Sequence, residues 1–148
     1  FINGDASMAE FSFPDGIAFD KLGNLYVADL GNFCIRKISP DGKVSRFAGA
    51  GTNGNADGTA AFAQFNLISD MAADSKGNLY VIDDNRVRKV TPGGIVTTIA
   101  GTTQGYGYAD GDGASARFAG LGGLGIDAAD NIYVADINNN RIRKISFE

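Results

Sequence analysis

Aspartates at regular spacing are the side chains of this chain with the clearest capacity for chemistry. Asp29, Asp83 and Asp136 each close a short apolar run that begins with tyrosine. Carboxylates act as general acids or bases and as ligands of Ca²⁺ or Mg²⁺. An aspartate at a strand end also accepts hydrogen bonds from backbone N–H groups of the following loop. Because the residue recurs in three equivalent places, we interpret it as structural and assign no catalytic residue.

A second acidic motif, Asp110-Gly111-Asp112-Gly113, resembles the beginning of a calcium-binding loop. The EF-hand loop needs ligands at alternate positions and a glutamate at its twelfth residue, where this chain has Leu121. We therefore interpret the motif as a turn that links two repeats, and we predict no metal and no cofactor.

The composition excludes several classes of site. The 148 residues include no histidine and one cysteine, Cys34, which rules out Ser-His-Asp catalysis, Cys-His catalysis, histidine-bound zinc and an intrachain disulfide. The net charge of −4 disfavours a broad phosphate-binding face, so we predict no nucleic-acid partner. No apolar run approaches about 20 residues, so we predict no membrane partner.

The carboxylates recur because the chain repeats one pattern three times. Its tyrosines, Tyr26, Tyr80 and Tyr133, are 54 and 53 residues apart, and a fixed period of this size indicates a repeat architecture. We interpret these tyrosines as filling the space between sheets, the alternative being a set that stacks on a ligand.

A basic pair follows each tyrosine, and in the second copy it comes two residues earlier than in the other two. The pairs are Arg36-Lys37, Arg88-Lys89 and Arg143-Lys144. We expect their stems to pack on apolar neighbours with the charged heads in solvent, the alternative being a basic rim for RNA.

Each copy is predicted to form four short antiparallel strands joined by tight turns. The second strand is apolar on successive positions, so both of its faces should be covered. Turn sequences such as Ser39-Pro40-Asp41-Gly42 separate the strands, and long links separate the copies. We therefore predict an all-β fold of three β-propeller blades, at approximately 13–47, 67–99 and 120–148.

Two of the copies resemble the NHL repeat. The resemblance is carried by Gly-Asn-Leu-Tyr-Val-Ala-Asp at Gly23–Asp29 and by Asn-x-x-Ile-Arg-Lys-Ile at Asn32–Ile38, and it recurs from Asn131 to Ile145. It implies a β-propeller, most often six-bladed. Three blades would leave two apolar faces exposed, which usually indicates an interface.

The unfinished third copy suggests how the ring is completed. Phe1-Ile2 is interpreted as a remnant of a fourth strand that completes the last blade of a partner. Two chains would then pair head to tail as half-propellers in a homodimer. The competing hypothesis is that the chain is half of a longer protein, since it begins at Phe1 and is expected to be processed, tag-cleaved or excised.

The first strand of each blade should line the central channel. Its mouth is expected to carry Asp15, Ser69 and Gly122, our candidate ligand-binding residues. The leading functional hypothesis is a non-enzymatic binding or scaffold module. The alternative, implied by related propellers, is a lyase or lactonase with a channel metal held by carboxylates and Asn.

Overall fold

The computed structural model describes residues 1–147, and it confirms the predicted all-β fold. Three antiparallel sheets follow one another along the chain, with two 3₁₀ turns of three residues each in the described part. Glu148, the last residue of the predicted third blade, lies outside the described residues. Between residues 1 and 147, no helix has the length and apolarity that a membrane crossing requires.

The strands are two to six residues long. In chain order they are β1 (Gly4–Asp5), β2 (Pro14–Phe19), β3 (Leu25–Asp29), β4 (Cys34–Ile38), β5 (Lys43–Ala48), β6 (Ile68–Ala73), β7 (Leu79–Asp83), β8 (Arg86–Val90), β9 (Val96–Gly101), β10 (Leu121–Ile126), β11 (Ile132–Asp136) and β12 (Arg141–Ile145).

The three sheets differ in the number of their strands. The first has the order β1-β5-β4-β3-β2, the second β6-β7-β8-β9 and the third β10-β11-β12. The predicted unit of four strands is therefore complete in the first two blades, and β1 adds a two-residue edge to the first. In the third blade β12 is an edge strand, because it pairs only with β11 among residues 1–147.

Tight turns between the first two strands of each blade use the conformations that the sequence predicts. Gly23 and Gly77 adopt φ values of +82° and +81° in the first and second blades. Asp130 takes the same place in the third blade with a φ of +63°, since aspartate tolerates the left-handed region better than most residues.

The blades pack through their inner strands, with β6 between β2 and β10. Two apolar clusters fill the spaces between blades. The links 49–67 and 102–120 contribute to them, because Phe65 lies in the first cluster and Phe118 in the second. Each link therefore lies between the preceding blade and its own blade. Residues 1–13 hold the equivalent place on the first blade.

Candidate functional site

A buried ion pair lies at the centre of every blade. The pairs are Asp29 with Arg36 at 2.9 Å, Asp83 with Arg88 at 2.9 Å and Asp136 with Arg143 at 2.9 Å. The prediction of solvated arginine heads is wrong for these three residues, because all of them are buried. The physical reason is that the guanidinium finds a carboxylate and carbonyl oxygens inside the blade, which offset the cost of its desolvation.

Each arginine also ties its own link to the sheet. Arg36 donates to the Glu10 and Ile2 carbonyl oxygens at 2.9 and 2.7 Å. Arg88 donates to the carbonyl oxygens of Gln64 and Ala56, the latter at 2.7 Å. The arginines are therefore clamps for the links.

The second oxygen of each aspartate fixes the segment before the first strand. Asp83 Oδ1 accepts the backbone N–H groups of Asn66 and Leu67 at 2.9 and 2.8 Å. Asp29 and Asp136 accept the N–H groups of Ser12 and Ala119 in the same way. The expectation of backbone bonds from the following loop is thus corrected, since the donors lie 16 or 17 residues upstream.

The lysines of the basic pairs lie over tyrosine rings, whereas the arginines lie inside the blades. Lys37, Lys89 and Lys144 lie with their amino nitrogens 5.9, 6.0 and 5.8 Å from the ring centres of the tyrosines. The tyrosines themselves pack between blades, with Tyr26 and Tyr80 buried. Each lysine therefore lies near its tyrosine ring, while the arginine beside it is buried.

A second aspartate recurs before the first turn of each blade and braces the first hairpin. Asp74 accepts the N–H groups of Lys76 and Asn78 at 2.9 and 2.8 Å and the hydroxyl of Tyr80 at 3.2 Å. Burial raises the pKa of Tyr80 to about 12. In the sequence, this arrangement is marked in every blade by an Asp before the turn and an Asn after it.

The third blade repeats this arrangement on the surface. Asp127 accepts hydrogen bonds from the side chain and the backbone N–H of Asn131 at 2.8 and 2.9 Å. The side-chain amide of Asn131 is the main reason why the pKa of Asp127 falls to about 2.

The three residues expected at the channel mouth lie in corresponding places at the starts of β2, β6 and β10. Asp15 is exposed, while Ser69 is half-buried and its hydroxyl has no hydrogen-bond partner among residues 1–147. Gly122 is half-buried, and a Cβ there would collide with the Ile137 side chain. Irregular pairing interrupts each inner strand at this level.

Besides the exposed Asp15, a second acidic residue beside this mouth, Asp70, is hydrogen-bonded to the backbone. Asp70 accepts the Leu124 N–H of the third blade at 2.8 Å and the Met71 N–H at 2.9 Å. It therefore links the second and third blades. Residues 1–147 contain no group of three or more Cys, Asp or Glu side chains arranged to hold a metal ion.

A groove of about 630 Å³ lies beside β12. One wall is the end of β12 with Ser146 and Phe147, and the other is Asp110–Gly113. Ala116 and Phe118 form part of the lining. The Asp110 carboxylate accepts from Arg143 at 2.6 Å and from the Tyr108 hydroxyl at 3.0 Å. The groove occupies the place that the fourth strand fills in the other blades.

The N-terminal residues do not have the place that the sequence analysis gave them. Phe1-Ile2-Asn3 aligns with Asn55-Ala56-Asp57, which belongs to a link. Arg36 donates to the Ile2 carbonyl and to Asn3, just as Arg88 donates to Ala56 and Asp57. The interpretation of Phe1-Ile2 as a fourth-strand remnant is therefore wrong, since the segment is held as a link of its own blade.

Comparison with known proteins identifies the repeat and the architecture. Residues 11–38 match the NHL repeat model. Human Teneurin-4 (Homo sapiens) is 27% identical over 166 residues, which cover 95% of this chain and 6% of that protein.

Two solved structures share the fold. An auxiliary nutrient binding protein from Bacteroides thetaiotaomicron superposes with a TM-score of 0.77 at 26% identity, covering 88% of this chain and 36% of that one. The virginiamycin B lyase of Staphylococcus aureus superposes with a TM-score of 0.61 at 16% identity, covering 98% and 41%. The chain spans 6% of Teneurin-4 and 36% of the nutrient binding protein. Residues 11–38 thus carry an NHL repeat, and the three blades share the fold of these β-propeller structures.

Proposed function

We propose that this chain is a non-enzymatic binding or scaffold module whose two open blade faces associate with further blades, a second copy of the chain being the partner. Two chains of three blades would supply the six blades that the family resemblance implies. The proposal rests on one observation: equivalent apolar residues are buried between blades and exposed at the two ends of the arc.

The open face of the first blade is carried by β2. Ile17 is 58% exposed there, whereas Met71, which holds the same place in the second blade, is 3% exposed. Phe19 is also exposed, while its counterpart Ala73 packs against the first apolar cluster. The difference arises because the second blade has a blade in front of it and the first has none among residues 1–147.

The open face of the third blade is carried by β12. Ile142 is 71% exposed, whereas the equivalent Ile35 and Val87 are fully buried. A blade placed on this face would cover Ile142 as the second blade covers Ile35. Apolar surface of this kind favours association.

The nutrient binding protein from Bacteroides supports a binding role, because its identity of 26% is accompanied by the same blade geometry. The alternative of a metal-dependent lyase or lactonase has no specific observation in its favour among residues 1–147, where no three acidic or cysteine side chains are grouped to hold a metal ion and Asp70 is already bonded to backbone.

Solution mass tests the proposal. Light scattering after size-exclusion chromatography should give twice the 15.4 kDa of one chain. Each of the variants Ile17→Asp and Ile142→Asp should shift the mass to that of one chain, since each places a charge on an apolar contact.

The matched control is Phe62→Asp. Phe62 is 76% exposed although its link lies between two blades, so its exposure is unrelated to a missing neighbour. This variant should keep the mass of the unsubstituted protein. A folded single chain at every concentration would refute the proposal, as would equal effects of all three substitutions.

A further inference from the structure

The groove of the third blade has the shape and the hydrogen-bonding groups of a slot for one β-strand. We infer that it binds an extended peptide segment with the pattern Val-polar-Thr-Ile/Phe-Ala-Gly, antiparallel to β12. The occupant is thus a strand of the type that forms β9. The slot exists within a single chain, so its occupation does not depend on the assembly proposed above.

The far wall of the slot offers backbone groups in the position that the second blade uses. Gly58 of the second link donates its N–H to the Val96 carbonyl at 3.0 Å and accepts the Val96 N–H at 2.8 Å. Gly111 is the aligned residue of the third link, and it lines the groove. It has no backbone hydrogen-bond partner among residues 1–147. A strand in the slot would therefore gain backbone bonds on this side.

The near wall is the free edge of β12. In the second blade the Thr91 N–H donates to the Ile95 carbonyl at 2.9 Å, and Lys89 pairs with Thr97. The alternation of antiparallel ladders then directs the N–H and C=O of Lys89 towards β9. Lys144 is the aligned residue of β12, so its backbone groups are the ones directed into the slot.

The lining of the slot selects an apolar residue at the first position. Val96 is fully buried in β9, and it lies in a cluster with Ala63 and Phe65 of its own link. The aligned residues of the third link, Ala116 and Phe118, line the groove. A valine at this position would cover them.

The third position is selected by a carboxylate. Thr98 donates hydrogen bonds from its N–H and its hydroxyl to Asp57 at 2.8 and 3.0 Å. Asp57 also accepts a hydrogen bond from Arg88 at 2.7 Å. Asp110 is the aligned residue of the third link, and it accepts a hydrogen bond from Arg143 at 2.6 Å. A threonine in the slot would meet the same acceptor.

The last two positions require small residues. Ala100 is buried and pairs with Val87, whose counterpart on β12 is Ile142. Gly101 has a φ of +88°, and a Cβ there would collide with the backbone at the start of β8. The start of β12 is aligned with that backbone, so glycine is expected at the end of the bound segment.

Fluorescence anisotropy with a labelled synthetic peptide tests the inference. The probe is Gly-Ile-Val-Thr-Thr-Ile-Ala-Gly, the sequence of residues 94–101, and the full chain should bind it saturably. The same peptide carrying V96D and A100D should bind at least about tenfold more weakly, because both changes place a charge where the second blade buries an apolar side chain.

Two variants of the protein locate the binding to the edge of β12. Lys144→Pro removes the N–H that faces the slot and should weaken binding at least about tenfold, whereas Lys144→Ala keeps that N–H and should bind within about twofold. Circular dichroism checks that the proline variant folds. Absence of saturable binding would overturn the inference, and so would equal binding of both peptides or of both variants. Solution mass, which tests the assembly of copies, enters none of these outcomes.

Discussion

Removal of the Asp83 carboxylate should be the most damaging single change in the second blade. Asp83→Ala deletes the acceptor of four hydrogen bonds at once. Two come from the backbone N–H groups of Asn66 and Leu67 and two from the guanidinium groups of Arg86 and Arg88. Both arginines are buried, so water cannot replace the lost partner freely.

The magnitude follows from these contacts. Breaking a buried ion pair by removing one member costs about 3–5 kcal/mol, because the other charge stays buried without compensation. Each backbone donor left unsatisfied adds about 1–3 kcal/mol. Domains unfold with about 5–15 kcal/mol in total, so the variant should be close to unfolding. Asp5→Ala is the control, since Asp5 pairs with Lys43 on the surface and such pairs contribute about 0–1 kcal/mol.

Urea denaturation followed by circular dichroism measures both variants. Adding Arg88→Met to Asp83→Ala should recover part of the loss, because one of the two buried guanidinium groups that lost Asp83 is removed. Arg86 and the two backbone donors still lack that carboxylate. Equal and small losses for Asp83→Ala and Asp5→Ala would refute the assignment of the clamp. A double variant no more stable than Asp83→Ala would refute the role of the buried charge.

Two further predictions concern pH. The pKa of Asp127 is lowered from 3.8 to about 2, so its contribution to stability is present above pH 3.8 and is lost as the pH falls towards 2. Asp127→Asn should therefore make the melting temperature fall less steeply over that pH range. An unchanged slope would contradict the hydrogen bonds assigned to Asp127. Burial raises the pKa of both Tyr26 and Tyr80 from 10 to about 12, so their contribution is complete below pH 10 and lost as the pH rises to 12. Spectrophotometric titration should show two tyrosines ionising near pH 12 and one fewer in Tyr80→Phe, whereas ionisation of every tyrosine near pH 10 would show that the rings are exposed.

The strands and turns could be predicted because their causes are local. Successive apolar residues in β3, β7 and β11 indicated strands covered on both faces, and the turn at Asp130 followed from its tolerance of positive φ. The number of strands in each sheet was harder to predict. The β1 edge at Gly4–Asp5 depends on a backbone contact with β5 that no residue type specifies.

The site was less predictable because its partners are distant in sequence. The spacing of Asp29 and Arg36 is 7 residues and recurs in the third blade, whereas it is 5 residues in the second. Composition favoured solvated arginines, and the carbonyl oxygens that hold Arg36 lie 26 and 34 residues away. Backbone acceptors carry no trace in the sequence. The same reason explains why Phe1-Ile2 was misplaced, since the link is held through a carbonyl oxygen and not through a recognisable side chain.

Because the three blades repeat one pattern, the contacts of a residue in one blade can be compared with those of its counterparts in the other two. Where a contact recurs in all three copies, as the Asp–Arg ion pair does, its role is satisfied within one blade. Where surroundings differ at equivalent positions, the difference marks a missing neighbour. Ile17 against Met71 marks a missing blade, and Gly111 against Gly58 marks a missing strand. These two absences among residues 1–147 are independent of each other. A chain could complete its ring and leave the slot open, or fill the slot and remain an arc, which is why solution mass and peptide binding must be measured separately.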